Sequence, residues 1–342
     1  MERDPESEWR IDAEDFPQGG TPGEQLRFLL RYAILAPSSH NTQPWRFRVR
    51  GDRLEVLADR TRRLQMVDPH DRALVISCGA AIGMLRAAMR RFGRRPEIAL
   101  LPDPDDADLL ARVGLGAGHD PTETEEARFA AITRRRTTRL RFEPAPLPPG
   151  LEAALVAIAV ADGAEAILVS ESSRKAEIAG LVAEGDRVQF ADPGFRRELG
   201  AWIHSRRRSS RDGMSGAAFG MPDRLSAVGS LVIRTFDMGD GVAAKDAEIA
   251  AGSPALLVLA TPDDEVRDWL AAGMAHAEML LAVTAEGLTA GYLNQPVEVD
   301  HLRPRLRAAA GASGIPQLLL RIGRGPAIAP AVRRPAEAVI EE

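Results

Sequence analysis

The sequence repeats one pattern of glycines and helix-forming residues in its two halves. Gly79 and Gly93 stand fourteen residues apart, and so do Gly273 and Gly287; each pair brackets a run of Met, Leu and Ala at helical spacing. A strand pattern follows each run, and a Pro-Gly pair before an amphipathic helix opens each half. We interpret this as a degenerate duplication of one α+β unit. The alternative, that two unrelated α+β halves share this order by chance, stays open at this stage.

Hydrophobic periodicity and turn residues predict the elements of a first half, residues 21–120, and a second half, residues 121–340. Helices are predicted over residues 24–36, 71–92, 121–132, 151–161, 172–185, 192–205, 265–286 and 300–309. Strands are predicted over residues 45–49, 54–58, 97–101, 111–115, 166–170, 254–260, 289–293 and 317–322. The third helix is expected to have Asp120 as its N-cap and Pro121 in its first position.

Two segments lack such periodicity. Residues 1–20 are acidic and punctuated by Gly and Pro, which predicts a mobile arm or an irregular lead-in. Residues 206–250 are rich in Ser, Arg, Gly and Asp. An irregular segment of this length in a compact domain is often a lid over a site, and plain disorder is the alternative.

Composition excludes several classes of protein. The chain has 342 residues, 45% hydrophobic and 27% charged, and a net charge of −5, so no bulk positive charge indicates a nucleic-acid partner. A single cysteine, Cys78, excludes a disulfide framework. The longest apolar run, Ala153–Ala161, is shorter than the ~18–20 residues of a membrane span, and the acidic N-terminus is unlike a signal peptide. We therefore expect a cytoplasmic globular protein with no membrane partner.

The sequence lacks complete motifs for dinucleotide binding, zinc binding, and the hydrolase and NTPase classes. The string Gly114-Leu115-Gly116-Ala117-Gly118 is followed by His119 where a dinucleotide fingerprint needs its third glycine, and it ends a predicted strand. The six histidines include no close pair on one helical face, which argues against a zinc site. No GxSxG or P-loop string occurs.

The most specific string runs from Ala36 to Phe47 and reads APSSHNTQPWRF. It predicts a helix end, a loop dense in short polar side chains, and an aromatic residue that leads into a strand. Such a loop could form the rim for a flat heteroaromatic ring, although Ser, Asn and Pro also form ordinary caps and turns. The chain has only two asparagines, Asn41 and Asn294, and each stands beside a Gln-Pro pair.

This string resembles the flavin-contact segment of the FMN-dependent nitroreductase family, whose pattern is roughly APSSxNxQPWxF. Three other strings resemble family elements. The first is Arg135-Arg136-Thr137-Thr138-Arg139, which resembles a basic R-R-S-x-R string with Thr for Ser. Leu293-Asn294-Gln295-Pro296 loosely resembles the segment near the reactive edge of the flavin, and Arg333-Arg334-Pro335 resembles a C-terminal Arg before Pro. The four strings span most of the chain.

The resemblance implies a role for each string. The cations suited to the FMN phosphate are Arg135, Arg139, and Arg333 or Arg334, with the Thr137 hydroxyl as a further donor. The ring and ribityl chain would contact Pro37, Ser38, Ser39 and Asn41. Gln43 could satisfy either the ring or the backbone, and Asn294 and Gln295 would lie near flavin N5 and O4. The alternative for Arg134–Arg136 is that their positive charges complement the partial negative charge at the C-terminus of a helix.

The order of the strings differs from that of ordinary nitroreductases. The ring-contact string occurs once, in the first half, and the Arg-Arg-Thr string occurs once, in the second. The chain therefore resembles the two-in-one, Acg-like branch, in which one chain mimics a dimer. The implied fold is α+β, an FMN-dependent nitroreductase-like fold of two fused, pseudo-dimeric halves, each with an antiparallel sheet and a long central helix.

The implied function is an FMN oxidoreductase. NADH or NADPH would reduce the flavin, and a small-molecule acceptor, nitroaromatic or quinone-like, would reoxidise it in ping-pong order. A monomer that acts as a pseudo-dimer is expected, with one FMN per chain, because the mirror site would pair 160–166 with the acidic stretch 6–15. The alternatives are a flavin-storage protein whose lid occludes FMN, and an enzyme of the same fold that fragments or dehydrogenates its substrate. The sequence does not choose among these functions or between the two nicotinamide cofactors.

Overall fold

Two β-sheets each pack on one of two long helices, and those helices pack on each other. The computed structural model describes residues 4–206, 208–216, 223 and 226–341. The first sheet has the strand order β3-β4-β2-β1-β9. Its strands are β1 (Trp45–Arg50), β2 (Arg53–Ala58), β3 (Arg94–Leu100), β4 (Leu109–Gly118) and β9 (Ile340–Glu341). Its pairs are antiparallel except β1 and β9, which run parallel, so this sheet differs in one pair from the antiparallel sheet expected.

The second sheet has the order β5-β6-β8-β7, and every pair in it is antiparallel. Its strands are β5 (Glu165–Val169), β6 (Ala255–Thr261), β7 (Thr289–Tyr292) and β8 (Ile315–Gly323). β6 is buried at all seven positions. This matches its uninterrupted apolar sequence, since a strand covered on both faces needs no polar alternation.

Eight of the described α-helices lie close to where periodicity predicts them, whereas three others were not predicted. The helices are α1 (Pro22–Ala33), α2 (Arg72–Arg91), α3 (Glu123–Ile132), α4 (Leu151–Ala161), α5 (Ser172–Ala191), α6 (Pro193–Ala201), α7 (Ser226–Thr235), α8 (Gly239–Ala251), α9 (Val266–Ala285), α10 (Gln295–Glu298) and α11 (Arg303–Ala310). The three that were not predicted are α7, α8 and α10. The expected start of α3 is wrong: a capping box between Thr122 and Glu125 begins the helix, because it satisfies two free backbone N–H groups at once.

The two irregular segments differ in outcome. Of the two alternatives for residues 1–20, the irregular lead-in is the one seen over the described part, where Trp9 and Phe16 are buried. The prediction for the second segment needs correction. Helices α7 and α8 occupy residues 226–251, where the sequence predicted an irregular lid. Residues 207, 217–222 and 224–225 of that predicted lid lie outside the described residues.

The two long helices meet at the glycines that the repeat pattern picked out. A Cβ on Gly79 of α2 would lie 2.5 Å from the carbonyl oxygen of Leu270 in α9 and 3.0 Å from Cα of Gly273. One turn along, a Cβ on Gly83 would lie 2.6 Å from Cβ of Ala277. Only glycine lets the two backbones come this close. Gly93 and Gly287 instead follow the ends of α2 and α9 with positive φ, as C′ glycines do.

By length and hydropathy, α2 alone among the described helices could cross a membrane, but 94% of its apolar window is buried inside the protein. One face of α2 packs on the first sheet and another packs on α9. The helix is therefore accounted for as the central core helix of the first half.

We predict that Gly273→Ala lowers the free energy of unfolding by about 1–3 kcal/mol, because the added methyl group has no space at the crossing of α2 and α9. Urea unfolding followed by circular dichroism measures it. Gly180→Ala in α5 is the matched control, since nothing lies within 4 Å of its Cβ position. There the loss of glycine's flexibility should raise stability by up to about 1 kcal/mol. Equal effects at the two positions would contradict the close crossing.

Candidate functional site

A cavity of about 960 Å³ lies where the two halves meet. Its lining includes α2 and the loop after α1 from the first half, and the segment 135–140, α9 and α10 from the second. Ten of the twelve residues singled out in the sequence line it: Pro37, Ser38, Ser39, Asn41, Arg135, Thr137, Arg139, Asn294, Gln295 and Arg333. The remaining two, Gln43 and Arg334, are outside the lining.

The loop after α1 has an unusual backbone. His40, Asn41 and Gln43 all have φ between 50° and 55°, a left-handed conformation that costs side-chain-bearing residues energy. Ser38 holds this shape, because its carbonyl oxygen accepts from the Asn41 N–H at 3.0 Å and its Oγ accepts from the Gln43 N–H at 2.9 Å. The loop thus presents its polar groups in a fixed arrangement.

The Asn41 side chain joins three segments that are far apart in sequence. Its Nδ2 donates to the carbonyl oxygens of Gly213 at 3.0 Å and Val332 at 3.1 Å. Its Oδ1 accepts from Nη1 of Arg333 at 2.9 Å. Asn41 therefore ties the loop after α1 to the segments around Gly213 and Arg333 in the second half.

Gln43 and Arg334 support this arrangement from outside the cavity. Nε2 of Gln43 donates to the Arg211 carbonyl at 2.9 Å, and its Oε1 accepts from the Arg334 N–H at 2.8 Å. Of the two possibilities that the sequence left open for Gln43, the backbone is the one seen. Trp45 is fully buried, as expected for a core residue.

Three guanidinium groups surround one indole at the edge of the cavity. The guanidinium carbons of Arg135, Arg136 and Arg333 lie 5.8, 4.8 and 5.0 Å from the centre of the Trp9 ring. Trp9 is fixed by its own Nε1, which donates to the Ala331 carbonyl at 2.8 Å. Among the described residues, no carboxylate forms an ion pair with any of the three arginines. We call Arg135, Arg136 and Arg333 the arginine cluster.

Burial makes the arginine cluster electrostatically unsatisfied. Burial, with the neighbouring charge of Arg136, lowers the pKa of Arg135 to about 10. Burial and the other two charges hold the pKa of Arg333 well below its usual value. Backbone carbonyls satisfy part of the cluster: Leu35 accepts from both Arg135 and Arg333 at the end of α1. A bound anion would offset the remaining excess of positive charge.

Arg139, the last basic residue of the string 135–139, lies apart from the arginine cluster and contacts Met214. Its Nη2 contacts Sδ of Met214 at 3.3 Å. Main-chain contacts hold the segment in place: the Thr138 N–H donates to the Ala290 carbonyl at 3.1 Å, and Nη2 of Arg321 donates to the Thr138 carbonyl at 2.8 Å. The segment is thus fixed beside β7 of the second sheet.

Asn294 and Gln295 stand at the start of α10. Oδ1 of Asn294 accepts from the Leu319 N–H at 2.9 Å, which anchors the turn to β8. Nε2 of Gln295 donates to the carboxylates of Asp186 in α5 and Asp246 in α8. The late Asn-Gln-Pro string thus lines the same cavity as the early one, as the sequence pattern indicated.

Comparison with known proteins decides the family. No family model matches the chain. A Mycobacterium tuberculosis protein named "Putative NAD(P)H nitroreductase Rv3131" is 33% identical over 327 residues, which cover 93% of this chain and 91% of that protein. A second from the same organism, named "Putative NAD(P)H nitroreductase acg", is 28% identical over 88% of this chain and 89% of its own length. The chain belongs to the nitroreductase family, in its Acg-like branch.

The solved structures that resemble this chain are more distant in sequence. The FMN-dependent nitroreductase NfnB of Mycobacterium smegmatis, in complex with NADPH, is 18% identical, with a TM-score of 0.36 over 58% of this chain and 88% of that one. Iodotyrosine deiodinase bound to FMN and 3-iodo-L-tyrosine is 15% identical, with a TM-score of 0.39 over 61% of this chain and 95% of that one.

Sequence reasoning missed several residues of this nitroreductase's cavity. Trp9 was missed because the acidic residues around it indicated a mobile arm; a lone Trp in a polar stretch was the available signal. His276 and Tyr292 also line the cavity, and Nε2 of His276 lies 2.7 Å from the Tyr292 hydroxyl. Burial lowers the pKa of His276 to about 3 and raises the pKa of Tyr292 to about 12, so both are neutral near pH 7.

We predict that inorganic phosphate stabilises this nitroreductase through the arginine cluster. At ten times its Kd, a ligand that binds only the folded state adds about 1.4 kcal/mol to the free energy of unfolding, which raises the Tm. Differential scanning calorimetry measures the shift. Arg135→Ala should abolish it, and the exposed neighbour Arg134, whose Nε donates only to its own helix, is the control. A phosphate response that Arg135→Ala leaves intact would contradict this anion site.

Proposed function

We propose that this chain binds FMN in the cavity and uses NADH or NADPH to reduce a small-molecule acceptor. The observation that carries the proposal is the arginine cluster, in which Arg135 and Arg333 are buried, Arg136 is half-buried, and none has a carboxylate ion-pair partner among the described residues. A terminal phosphate carries nearly two negative charges, and charge-assisted hydrogen bonds from arginine suit it.

The rest of the cavity fits a flavin as well. Unpartnered buried nitrogens remain on the residues that line it: Nε of Arg135, Nε of Arg333 and Nε2 of His40 have no hydrogen-bond partner in the part of the chain that the structure describes. Apolar groups of α2, such as Ala73 and Ile76, supply flat wall beside them. Polar atoms around an apolar slot are what a flat ring with C=O and N–H edges requires.

The chain's own residues hold and shield the cofactor, and FMN, when bound, supplies two-electron transfer between a nicotinamide and an acceptor. Arg135, Thr137 and Arg333 would hold the phosphate, with Arg139 on the same segment, and Ser38, Ser39 and Asn41 would border the ring. The names of the two tuberculosis relatives support a nicotinamide as reductant and a nitro compound as acceptor, and a quinone-like acceptor is our own extension. A reducing cytoplasm, expected from the single buried Cys78, would supply that reductant.

We further propose one FMN per chain, bound by a monomer that acts as a pseudo-dimer. The first half would contribute the loop after α1, and the second half would contribute the arginine cluster. The acidic stretch that was expected at the mirror site lies at the edge of this cavity instead. Glu6 forms an ion pair with Arg206, and Trp9 packs on the arginine cluster. The stretch 160–166 carries no Ser, Asn or Gln to border a ring.

Arg135→Ala and Asn41→Ala should weaken the same binding event, although 94 residues separate them in sequence. Loss of a charged hydrogen bond to phosphate costs about 1.5–3 kcal/mol, or roughly 10–150-fold in Kd. Calorimetric titration with FMN measures both Kd and stoichiometry, with Arg134→Ala as the control. A stoichiometry near two FMN per chain, or an Arg135→Ala variant with wild-type affinity, would refute the single shared site.

Flavin storage is the second candidate, because Val232 and Ile233 of α7 and Val242 of α8 line the cavity and belong to the segment for which the sequence predicted a lid. Anaerobic addition of NADPH or NADH to the FMN-loaded protein separates the two. Rapid bleaching of flavin absorbance is expected for the oxidoreductase. Protein-bound flavin that stays yellow, while a control nitroreductase bleaches, would favour storage.

A further inference from the structure

Two carboxyl groups and one amide meet in the wall of the same cavity. Nε2 of Gln295 lies 3.0 Å from Oδ1 of Asp186 and 3.1 Å from Oδ2 of Asp246. The three residues come from α10, α5 and α8, and all three line the cavity. We call Asp186 and Asp246 the aspartate pair.

Close packing of α5 on α10 creates this arrangement. A Cβ on Gly185 would lie 2.7 Å from Cβ of Gln295, so only glycine at this position lets the next residue, Asp186, reach the amide. Asp186 is 2% exposed, and its Oδ2 has no hydrogen-bond partner among the described residues. The Oε1 atom of Gln295 is likewise buried and unpartnered there. A lone carboxyl oxygen at a cavity wall is a group that a ligand can complete.

The charges around the pair come from several elements. Glu298 of α10 adds a like charge beside Asp186, and Arg187 of α5 partly offsets it. Three cations face Asp246: Arg139, Lys245 and Arg321.

Two desolvated carboxylates that share one amide donor cannot both be charged without a large cost, so they titrate as a unit. Burial, followed by the charge of Asp246, raises the pKa of Asp186 to about 7. Burial raises the pKa of Asp246 as well. At neutral pH a proton therefore remains available on the pair.

We propose that the aspartate pair holds one proton and that Asp186 donates it, from Oδ2, to the acceptor reduced in the cavity. This proposal rests on the proposed function, which supplies the reductant. In reduction of a quinone, NAD(P)H is oxidised and its hydride equivalent passes to the acceptor. The O–H bond of Asp186 breaks, its electron pair stays on the carboxylate, and a new O–H bond forms on the reduced acceptor. Water then reprotonates the pair.

The proton itself can be observed without turnover. Infrared spectra of the isolated protein at about pH 6, where ordinary carboxyl groups are ionised, should show a protonated carboxyl band that fades as the pH rises through about 7. Asp186→Asn should remove the band, and Glu177→Gln, an exposed site on the same helix, should leave it. A band that survives in Asp186→Asn, or no band in the wild type, would overturn the proposal.

The stability of the protein should depend on protonation of the same group, Asp186. Because the pKa of Asp186 is raised in the folded state, folding takes up a proton, and the stability that this residue contributes falls as the pH rises from about 4 to about 7. The urea midpoint of the wild type should therefore fall relative to Asp186→Asn across that range, while Glu177→Gln follows the wild type. Parallel curves for wild type and Asp186→Asn would argue against the shared proton.

Turnover with two acceptors tests the donation step. Benzoquinone must take up protons when it is reduced, whereas ferricyanide takes up only electrons. Asp186→Asn should slow benzoquinone reduction about 100-fold more than it slows ferricyanide reduction. Glu177→Gln should match the wild type with both acceptors.

The outcomes separate the two proposals. If the wild type reduces neither acceptor, the proposed function fails, while the infrared band still reports on the pair. If Asp186→Asn reduces benzoquinone at the wild-type rate, or slows both acceptors equally, proton donation by Asp186 is refuted. Should Asp186→Asn fail to fold, Asp246→Asn replaces it: with its partner neutral, the band should fade at a lower pH, and an unchanged midpoint would refute the coupling.

Discussion

The contact of α2 with α9 at Gly79 and Gly273 fixes the position of everything else in this protein. Each helix is the core of one half, so the distance between the two backbones sets the distance between the two sheets and between the loops that extend from them. Because the contact is backbone against backbone, with no side chain that can change rotamer, it has little freedom to adjust. The cavity inherits this rigidity, since α2 and α9 both line it.

Both halves line the cavity, and polar contacts cross the junction between them. Every described side-chain hydrogen bond of Asn41 in the first half goes to the second half. Arg333 and Arg135 of the second half donate to the Leu35 carbonyl at the end of α1. These bonds also hold a loop with three left-handed residues, a conformation of the kind that persists only where surrounding contacts impose it. Assembly of the halves and formation of the site are therefore one event.

Most of the fold could be predicted from the sequence, because long helices and buried strands have strong periodicity. The repeat of Gly79 in Gly273 indicated two similar long helices, although not that the helices cross at these two glycines. The failures have a common cause: residues 9–16 and 226–251 are polar or mixed locally, and distant contacts, not their own pattern, order them. The aspartate pair was missed for the same reason, since Asp186, Asp246 and Gln295 become neighbours only through the packing of three helices.

The parallel pairing of β1 with β9 has a consequence for how the protein is made. Phe47 pairs with Ile340, so 293 residues separate the two strands. At about 5–20 residues per second, a ribosome needs roughly 15–60 s to cover that distance. Throughout this interval one edge of the first sheet has no partner, and an open edge is a template for pairing with other nascent chains. Two side chains of β1, Arg46 and Arg48, later form ion pairs with Glu341. Until then their positive charges repel a second copy of the same edge, so the residues that close the sheet also protect it while it waits.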